Sequence, residues 1–512
     1  MKKQQRVLIE NIQPQLNCGE FPIKRVINEF VNLNADILAD GHDVVQARLI
    51  VNLPNSRKKE EYRLTAEYND RYFGQFKVTK RGYYTYYIEA WIDHALNWQH
   101  GIEAKLKDGQ QVTSELLDGI QYVEFVKSKT KSIEDKTYLT ELKSIFQSKE
   151  SYDNAIEEAT SSQLRELFEA YPQKMFSAKS KKMQVYVDRE KARFSTWYEF
   201  FPRSASKEDG QHGTFKDCER LLPKIAEMGF DTLYFPPIHP IGEKNRKGKN
   251  NATNAQEGDS GVPWGIGSKH GGHKSIHPDL GSEKDFLNLI KKAKKLGLEI
   301  AMDIALQAAP DHPYLESHPE WFKFRPDGTI QYAENPPKKY QDIVNFNFET
   351  EKATELWKEL LSIGKYWAKK GVKIFRIDNP HTKPFLFWNW FIEEIKKDYP
   401  DALFLAEAFS RPKMMQQLAK QGFSQSYTYF TWRVEKHELI DYVVELTKSE
   451  MKEYFRPNFW PNTPDINPYH LQGANEAMHL LRYALAATLS SNTGLYGPVY
   501  EYMLSEAVPG KE

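Results

Sequence analysis

The chain has 512 residues, with 70 basic and 70 acidic side chains and a formal net charge of zero. That length allows more than one domain and a large core, and the balanced charge excludes a global basic field for nucleic acid or an acidic tail. The two cysteines, Cys18 and Cys218, lie far apart without metal-type spacing, which excludes a disulfide framework.

The first residues, Met1-Lys-Lys-Gln-Gln-Arg-Val-Leu-Ile-Glu10, hold no apolar segment of signal-peptide length, and no run of about 18 apolar residues occurs. A cytoplasmic protein with no membrane or nucleic-acid partner is expected. Residues 1–112 read as an immunoglobulin-like β-sandwich. Arg6–Ile12, Asp43–Val51, Tyr62–Tyr68, Phe73–Val78 and Tyr83–Asp93 are short runs between turn-rich pieces. In the last run Tyr84, Tyr86, Ile88, Ala90 and Ile92 share one face.

From 113 to 178 the period becomes helical. Leu139, Leu142, Ile145 and Phe146, then Leu164, Leu167, Phe168 and Tyr171, form apolar stripes among lysines and glutamates. These predict a small bundle inserted in the sandwich. Residues 179–190 supply a returning strand, Met183–Val187.

From 191 to 512 apolar strand-like runs alternate with helical patterns. The expected strands are Thr196–Phe200, Thr232–Phe235, Glu299–Ile304, Val372–Ile377, Leu403–Ala406, Ser426–Phe430, one near Phe455–Trp460 and one near Leu495–Tyr496. Helical stretches include Asp285–Leu296, Thr354–Lys369, Trp388–Lys397 and Asn475–Leu489. Eight such units predict a parallel sheet closed into a (β/α)8 barrel, so the fold class is multidomain α/β. The connection after the third strand is too long for an ordinary loop. Its part at about 305–345 is expected to stand over the C-terminal mouth as a subdomain.

The stretch Gly371-Val-Lys-Ile-Phe-Arg-Ile-Asp378 ends a doubly buried strand in charge. Arg376 lies two residues before Asp378, so both side chains point to one side, and the guanidinium favours the carboxylate. Glu407 ends the fifth strand and Asp465 follows the seventh. Retaining glycosyl transfer needs an ionised carboxylate to attack the anomeric carbon and a second, protonated one roughly 5–5.5 Å away to serve as acid and then base. A third acid can stabilise the positive charge of the transition state. Histidines at 239, 270, 273, 277, 312 and 318 crowd one region without a metal-binding motif, so neither metal nor cofactor is expected.

These segments resemble a known family. Ala301-Met-Asp-Ile304, Phe375-Arg-Ile-Asp378, Glu407 and Asp465 match, in order, the short regions of the α-amylase superfamily of glycoside hydrolases. The nearer resemblance, along essentially the whole chain, is to the α-1,4-glucan:maltose-1-phosphate maltosyltransferases. It rests on Trp197-Tyr-Glu-Phe-Phe-Pro-Arg-Ser204, Pro236-Pro-Ile-His-Pro-Ile-Gly242, Pro263-Trp-Gly-Ile-Gly267, Ala333-Glu-Asn-Pro-Pro-Lys-Lys-Tyr-Gln-Asp342 and Ile377-Asp-Asn-Pro-His-Thr-Lys383. The superfamily histidine five residues after the first-region Asp is Ala308 here, and Pro464 precedes Asp465 in place of a histidine, as in the maltosyltransferase branch.

The resemblance implies an enzyme that moves maltosyl from α-maltose 1-phosphate to the non-reducing end of an α-1,4-glucan, releasing phosphate, in glycogen or α-glucan synthesis. Asp378 would be the nucleophile, Glu407 the general acid/base and Asp465 the transition-state stabiliser. Lys247, Gln307, Asp342 and Asn379 match donor-binding positions, and Lys338 and Tyr340 match the segment near its phosphate. Asn335, Lys338 and Asn379 are partners of the kind a dianion needs, and Arg376 is grouped with the substrate-binding residues. Phosphate leaves with little help, so Glu407 matters most as the base for the acceptor hydroxyl. The family also implies a homodimer. Its members continue past this chain's Glu512 with a further helical part and a C-terminal β-sandwich, whose lack here leads to an expectation of exposed apolar surface. The alternatives are an α-glucan hydrolase or transglycosylase of the same superfamily, or an inactive glucan-binding module.

Overall fold

The computed structural model describes residues 5–506, in two compact units, Met1–Val187 and Asp188–Glu512. In the first unit, one sheet has the spatial order Val7–Gln13, Phe30–Ala39, Arg71–Lys77, Thr65–Ala66. A second runs Ile23–Val26, Met183–Asp188, Gly82–Ile92, Val45–Asn52, Lys59–Arg63, with Met175–Lys179 also paired to Gly82–Ile92. Alternation sets the core. Val31, Leu33, Ala35 and Ile37 are buried from one sheet, and Tyr84, Tyr86, Ile88, Ala90 and Ile92 from the other. Phe76 bridges the sheets, its ring centroid 6.2 Å from Tyr84 and 5.7 Å from Tyr86. Full burial of each large apolar side chain contributes about 1.5–3 kcal/mol.

Helix begins earlier than the expected boundary near 112. The strand ends at Ile92, and the Asp93 carboxylate accepts the Leu96 N–H at 3.1 Å, capping helix His94–Lys107. The apolar stripe there is broken by Gln99, which is fully buried and donates to the Ala159 carbonyl at 3.0 Å. A polar residue serving the core hides the helical period from the sequence. Helices Thr113–Lys129, Ile133–Gln147, Tyr152–Ala159 and Ser162–Ala170 share this core through Leu116, Val123, Leu139, Leu142, Phe146, Leu164 and Phe168.

In the second unit a parallel sheet has the order Gln425–Ser426, Leu403–Ala406, Ile374–Ile377, Glu299–Ile304, Thr232–Phe235, Ser195–Glu199, Asn492–Tyr496. Residues 456–459 close it. Ser426 N–H donates to the Arg456 carbonyl at 3.0 Å and Asn458 N–H to the Ser426 carbonyl at 2.8 Å. On the other side Phe459 N–H donates to the Asn492 carbonyl, and Gly494 N–H to the Phe459 carbonyl, both at 3.0 Å. The eight segments form a (β/α)8 barrel. Gly494 is required at this closure, because a Cβ there would lie 2.3 Å from the Trp460 indole. The sixth strand stops at Ser426 rather than Phe430. The Thr428 hydroxyl accepts the Phe430 N–H and turns the chain into the 3-10 segment Tyr429–Trp432.

Helix Phe215–Glu227, with Phe215, Cys218, Leu222 and Ile225 buried along one face, starts at a capping box of Thr214 and Asp217. The third-strand loop folds into an antiparallel sheet of Gln307–Ala308, Lys338–Asn345 and Tyr332–Asn335. Leu480, Leu481 and Leu489 of helix Glu476–Leu489 are exposed.

Candidate active site

Barrel register builds the site floor. Asp303 on the third strand pairs with Arg376 on the fourth, and Arg376 with Leu405 on the fifth. Arg376 Nη1 therefore donates to both Asp303 Oδ2 and Asp378 Oδ1, each at 2.8 Å. Its Nη2 lies 3.6 Å from Glu407 Oε2. One buried guanidinium thus joins three strand-end carboxylates. Asp303 Oδ2 also accepts the Tyr234 hydroxyl at 2.6 Å and Trp264 Nε1 at 3.3 Å. Asn379 follows in left-handed backbone, φ 42° and ψ 52°. Its N–H donates to Glu407 Oε2 at 3.1 Å and its Nδ2 to Asp378 Oδ2 at 3.4 Å.

Charge in this floor is unbalanced. Burial pushes Glu407 up to about 8, with Asp378 and Asp465 adding to the rise and Arg376 and the Asn379 N–H opposing it. Asp303 is raised by burial and the Asp378 charge against the pull of Arg376. Asp465 opens to the cavity, yet burial of its carboxyl and the nearby Asp378 also raise it. Glu199, fully buried at the end of the first strand, is raised well above the carboxylate range by burial, then by Asp303, Asp465 and Glu407.

Above the floor lies a cavity of about 1010 Å³. Asp378, Glu407, Asp465, Gln307, Asn335, Tyr340, Asp342 and Asn379 all line it. Three expected residues are not on its surface. Lys247 is buried behind the wall and donates to Gln341 Oε1 at 3.0 Å. Lys338 is exposed and pairs in register with Asn335 at the hairpin end. Arg376 was grouped with substrate-binding residues, but its guanidinium is taken up beneath the acids. Its position level with Asp303 makes this unavoidable.

Sequence reasoning missed one wall altogether. The loop after the second strand contributes Lys249, Asn250, Asn251 and residues 258–262. Its visible signal was the glycine- and asparagine-rich composition of 248–261. Asp303 and Tyr234 were legible as strand residues but not as partners, because they meet only through register.

The crowded histidines are largely structural. His273 Nδ1 and His312 Nε2 are 3.1 Å apart, His273 Nε2 lies 3.0 Å from the Ala305 carbonyl, and burial holds both rings down to about 3. Ligand-type atoms of His212, His277 and Asp279 come within 4.8 Å of one another. Burial pushes His277 down to about 4, opposed by Asp279, and Arg246 and Arg203 add to the lowering. That positive field disfavours a cation.

Fold and floor together define a (β/α)8-barrel protein with a carboxylate cluster and a large polar cavity at the C-terminal mouth of the barrel. Residues 5–189 match the family model described as alpha-1,4-glucan:maltose-1-phosphate maltosyltransferase, domain N/S. The chain is 51% identical over 509 residues to the alpha-1,4-glucan:maltose-1-phosphate maltosyltransferase of Methylacidiphilum infernorum, covering 99% of this chain and 76% of that protein. It is 48% identical over 508 residues to the enzyme of the same name from Chlorobaculum tepidum, again covering 99% and 76%. Among solved structures, a maltogenic alpha-amylase from Thermotoga neapolitana overlaps 62% of this chain and 70% of its own, with 24% identity and a TM-score of 0.48. The chain belongs to the α-1,4-glucan:maltose-1-phosphate maltosyltransferase family.

Proposed function

We propose that the chain transfers maltosyl from α-maltose 1-phosphate to the non-reducing end of an α-1,4-glucan by double displacement. The observation that carries this is the shared guanidinium of Arg376, which holds Asp378 at 2.8 Å and stands 3.6 Å from Glu407 at the cavity floor. Membership of the family supports the choice of donor and acceptor.

In the first step the Asp378 carboxylate attacks the anomeric carbon. The bond to phosphate oxygen breaks with its electron pair, and Glu407 gives its proton to the departing phosphate. Glu407, raised by burial, holds that proton near neutral pH. In the second step Glu407 takes the proton of an acceptor hydroxyl. The freed oxygen attacks the same carbon and the bond to Asp378 breaks. Asp465 faces the positive charge that develops between the two. Asn335, Tyr340 and Asn379 stand at the wall where a phosphate would lie, and Gln307 and Asp342 suit sugar hydroxyls. Lys247 acts from behind Gln341, and Lys338, on the exposed hairpin outside the cavity lining, would have to move to meet the donor. A role in glycogen-type synthesis and a homodimer rest on the resemblance alone, and a cytoplasmic setting on two cysteines without disulfide-type spacing.

The test is phosphate release from α-maltose 1-phosphate, with and without a malto-oligosaccharide, in this chain and in Asp378→Ala. Acceptor-dependent release, with products longer by one maltosyl unit and none of it in the variant, is expected. Equal release in the variant would remove Asp378 from the mechanism.

A further inference from the structure

The turn after the fourth strand carries contacts to both acids and is clamped from within. Asn379 adopts a left-handed conformation, which asparagine tolerates better than other residues that carry a Cβ. Pro380–Thr382 continue as a 3-10 turn. The Thr382 hydroxyl donates to the Asn379 carbonyl at 2.8 Å, and Trp388 Nε1 to the Pro380 carbonyl at 2.8 Å. Lys383 completes the clamp. Its Nζ donates to Thr382 Oγ1 at 2.9 Å and reaches the Asn379 carbonyl at 3.5 Å. Only 7% of this lysine is exposed.

A buried ammonium is costly unless charge of opposite sign compensates it. Neither hydrogen-bond partner of Lys383 is charged, so compensation falls to the acids in reach, Asp378 and Glu407. Burial lowers Lys383 to about 8, and those two carboxylates oppose the fall. We propose that Lys383 is a positioning residue for the acid/base. Its ammonium fixes the turn whose Asn379 N–H holds Glu407, and it adds a second positive charge, after Arg376, beside the Asp378–Glu407 pair. This rests on reading those two acids as nucleophile and acid/base. The other groups facing the pair are His381 from the same turn, Glu199 and Asp303 from the first and third strands, Tyr427 after the sixth and Asp465 after the seventh.

The test reads the Glu407 proton directly, by infrared difference spectroscopy across pH, with the carboxyl band assigned by its loss in Glu407→Gln. It needs no sugar phosphate, so it stands apart from whether the chain transfers maltosyl. Lys383→Gln keeps a donor for the turn but loses the charge. It should move the apparent Glu407 midpoint up by about one pH unit, a tenfold change in proton affinity. Lys383→Met should move it at least as far, and Lys383→Arg should return it close to the wild-type value. In active protein the same shift should appear in the alkaline limb of kcat/KM. Equal midpoints in the wild type and Lys383→Gln overturn the proposal. Should Lys383→Met fail to fold, the Gln and Arg variants decide alone.

Discussion

The second unit holds two buried ion clusters at opposite ends of its barrel, and they differ in their balance of charge. At the N-terminal end Asp188 is buried between two cations, with Lys396 Nζ at 2.8 Å and Arg456 Nη1 at 2.5 Å. Burial alone would raise this carboxyl, yet the two cations outweigh it and hold it at about 2. At the C-terminal mouth the ratio is reversed, with the one guanidinium of Arg376 shared by Asp303, Asp378 and Glu407. There burial and mutual repulsion win, and Asp303 and Glu407 rise. The same residue types therefore form a closed structural joint at one end and a proton-holding site at the other. The division matches a barrel whose lower face carries stability and whose upper face carries chemistry.

The largest effect expected from breaking this comparison is at the lower joint. Asp188→Ala would leave Lys396 and Arg456 without their shared carboxylate, and a loss of about 3–5 kcal/mol is expected in urea unfolding. A loss below about 1 kcal/mol would show that this cluster is no joint.

The dependence of stability on pH sharpens the contrast, because its sign differs between the ends. Asp188 is depressed in the fold, so its contribution is present above the unfolded carboxylate value and is lost as pH falls toward about 2. Glu407 is raised, so its contribution is present below the unfolded value and is lost as pH rises through about 8. Melting scans from pH 5 to 9 should show the wild type losing stability relative to Glu407→Gln, while Asp188 contributes no slope there. Parallel curves for the two proteins would contradict the raised Glu407.

The smallest change is Tyr234→Phe, which removes one neutral donor from Asp303 but leaves Arg376 and Trp264 in place. A loss of about 1–3 kcal/mol in stability is expected. No measurable loss would mean that Asp303 is satisfied without the hydroxyl.

Much of this site was legible because its geometry is local. A short apolar run marks a buried strand, and the two-residue period places Arg376 and Asp378 on one side of it. The strand-end positions of Glu407 and the approach of Asp465 follow from the same reading, as do the inward faces of the sandwich strands. Helix His94–Lys107 escaped notice because Gln99 serves its core by hydrogen bonding rather than by apolarity. The seventh barrel segment has no long strand pattern. It was expected only as a strand near Phe455–Trp460, and its extent is set by the bonds of 456–459 to Ser426 and Asn492, residues brought together by closure of the barrel.

What the sequence alone determined is thus the set of elements and the acids at their ends, since side-chain alternation and apolar runs are properties of neighbours along the chain. Tertiary structure decided which charges meet. Arg376 finds Asp303 across 73 positions because two parallel strands share a register. Lys383 becomes a buried cation because its ammonium turns back onto Thr382 and the Asn379 carbonyl, and Lys396 and Arg456 converge on Asp188 from separate elements. Register and burial depend on contacts distant in sequence, and in low dielectric they set the protonation that the chemistry uses.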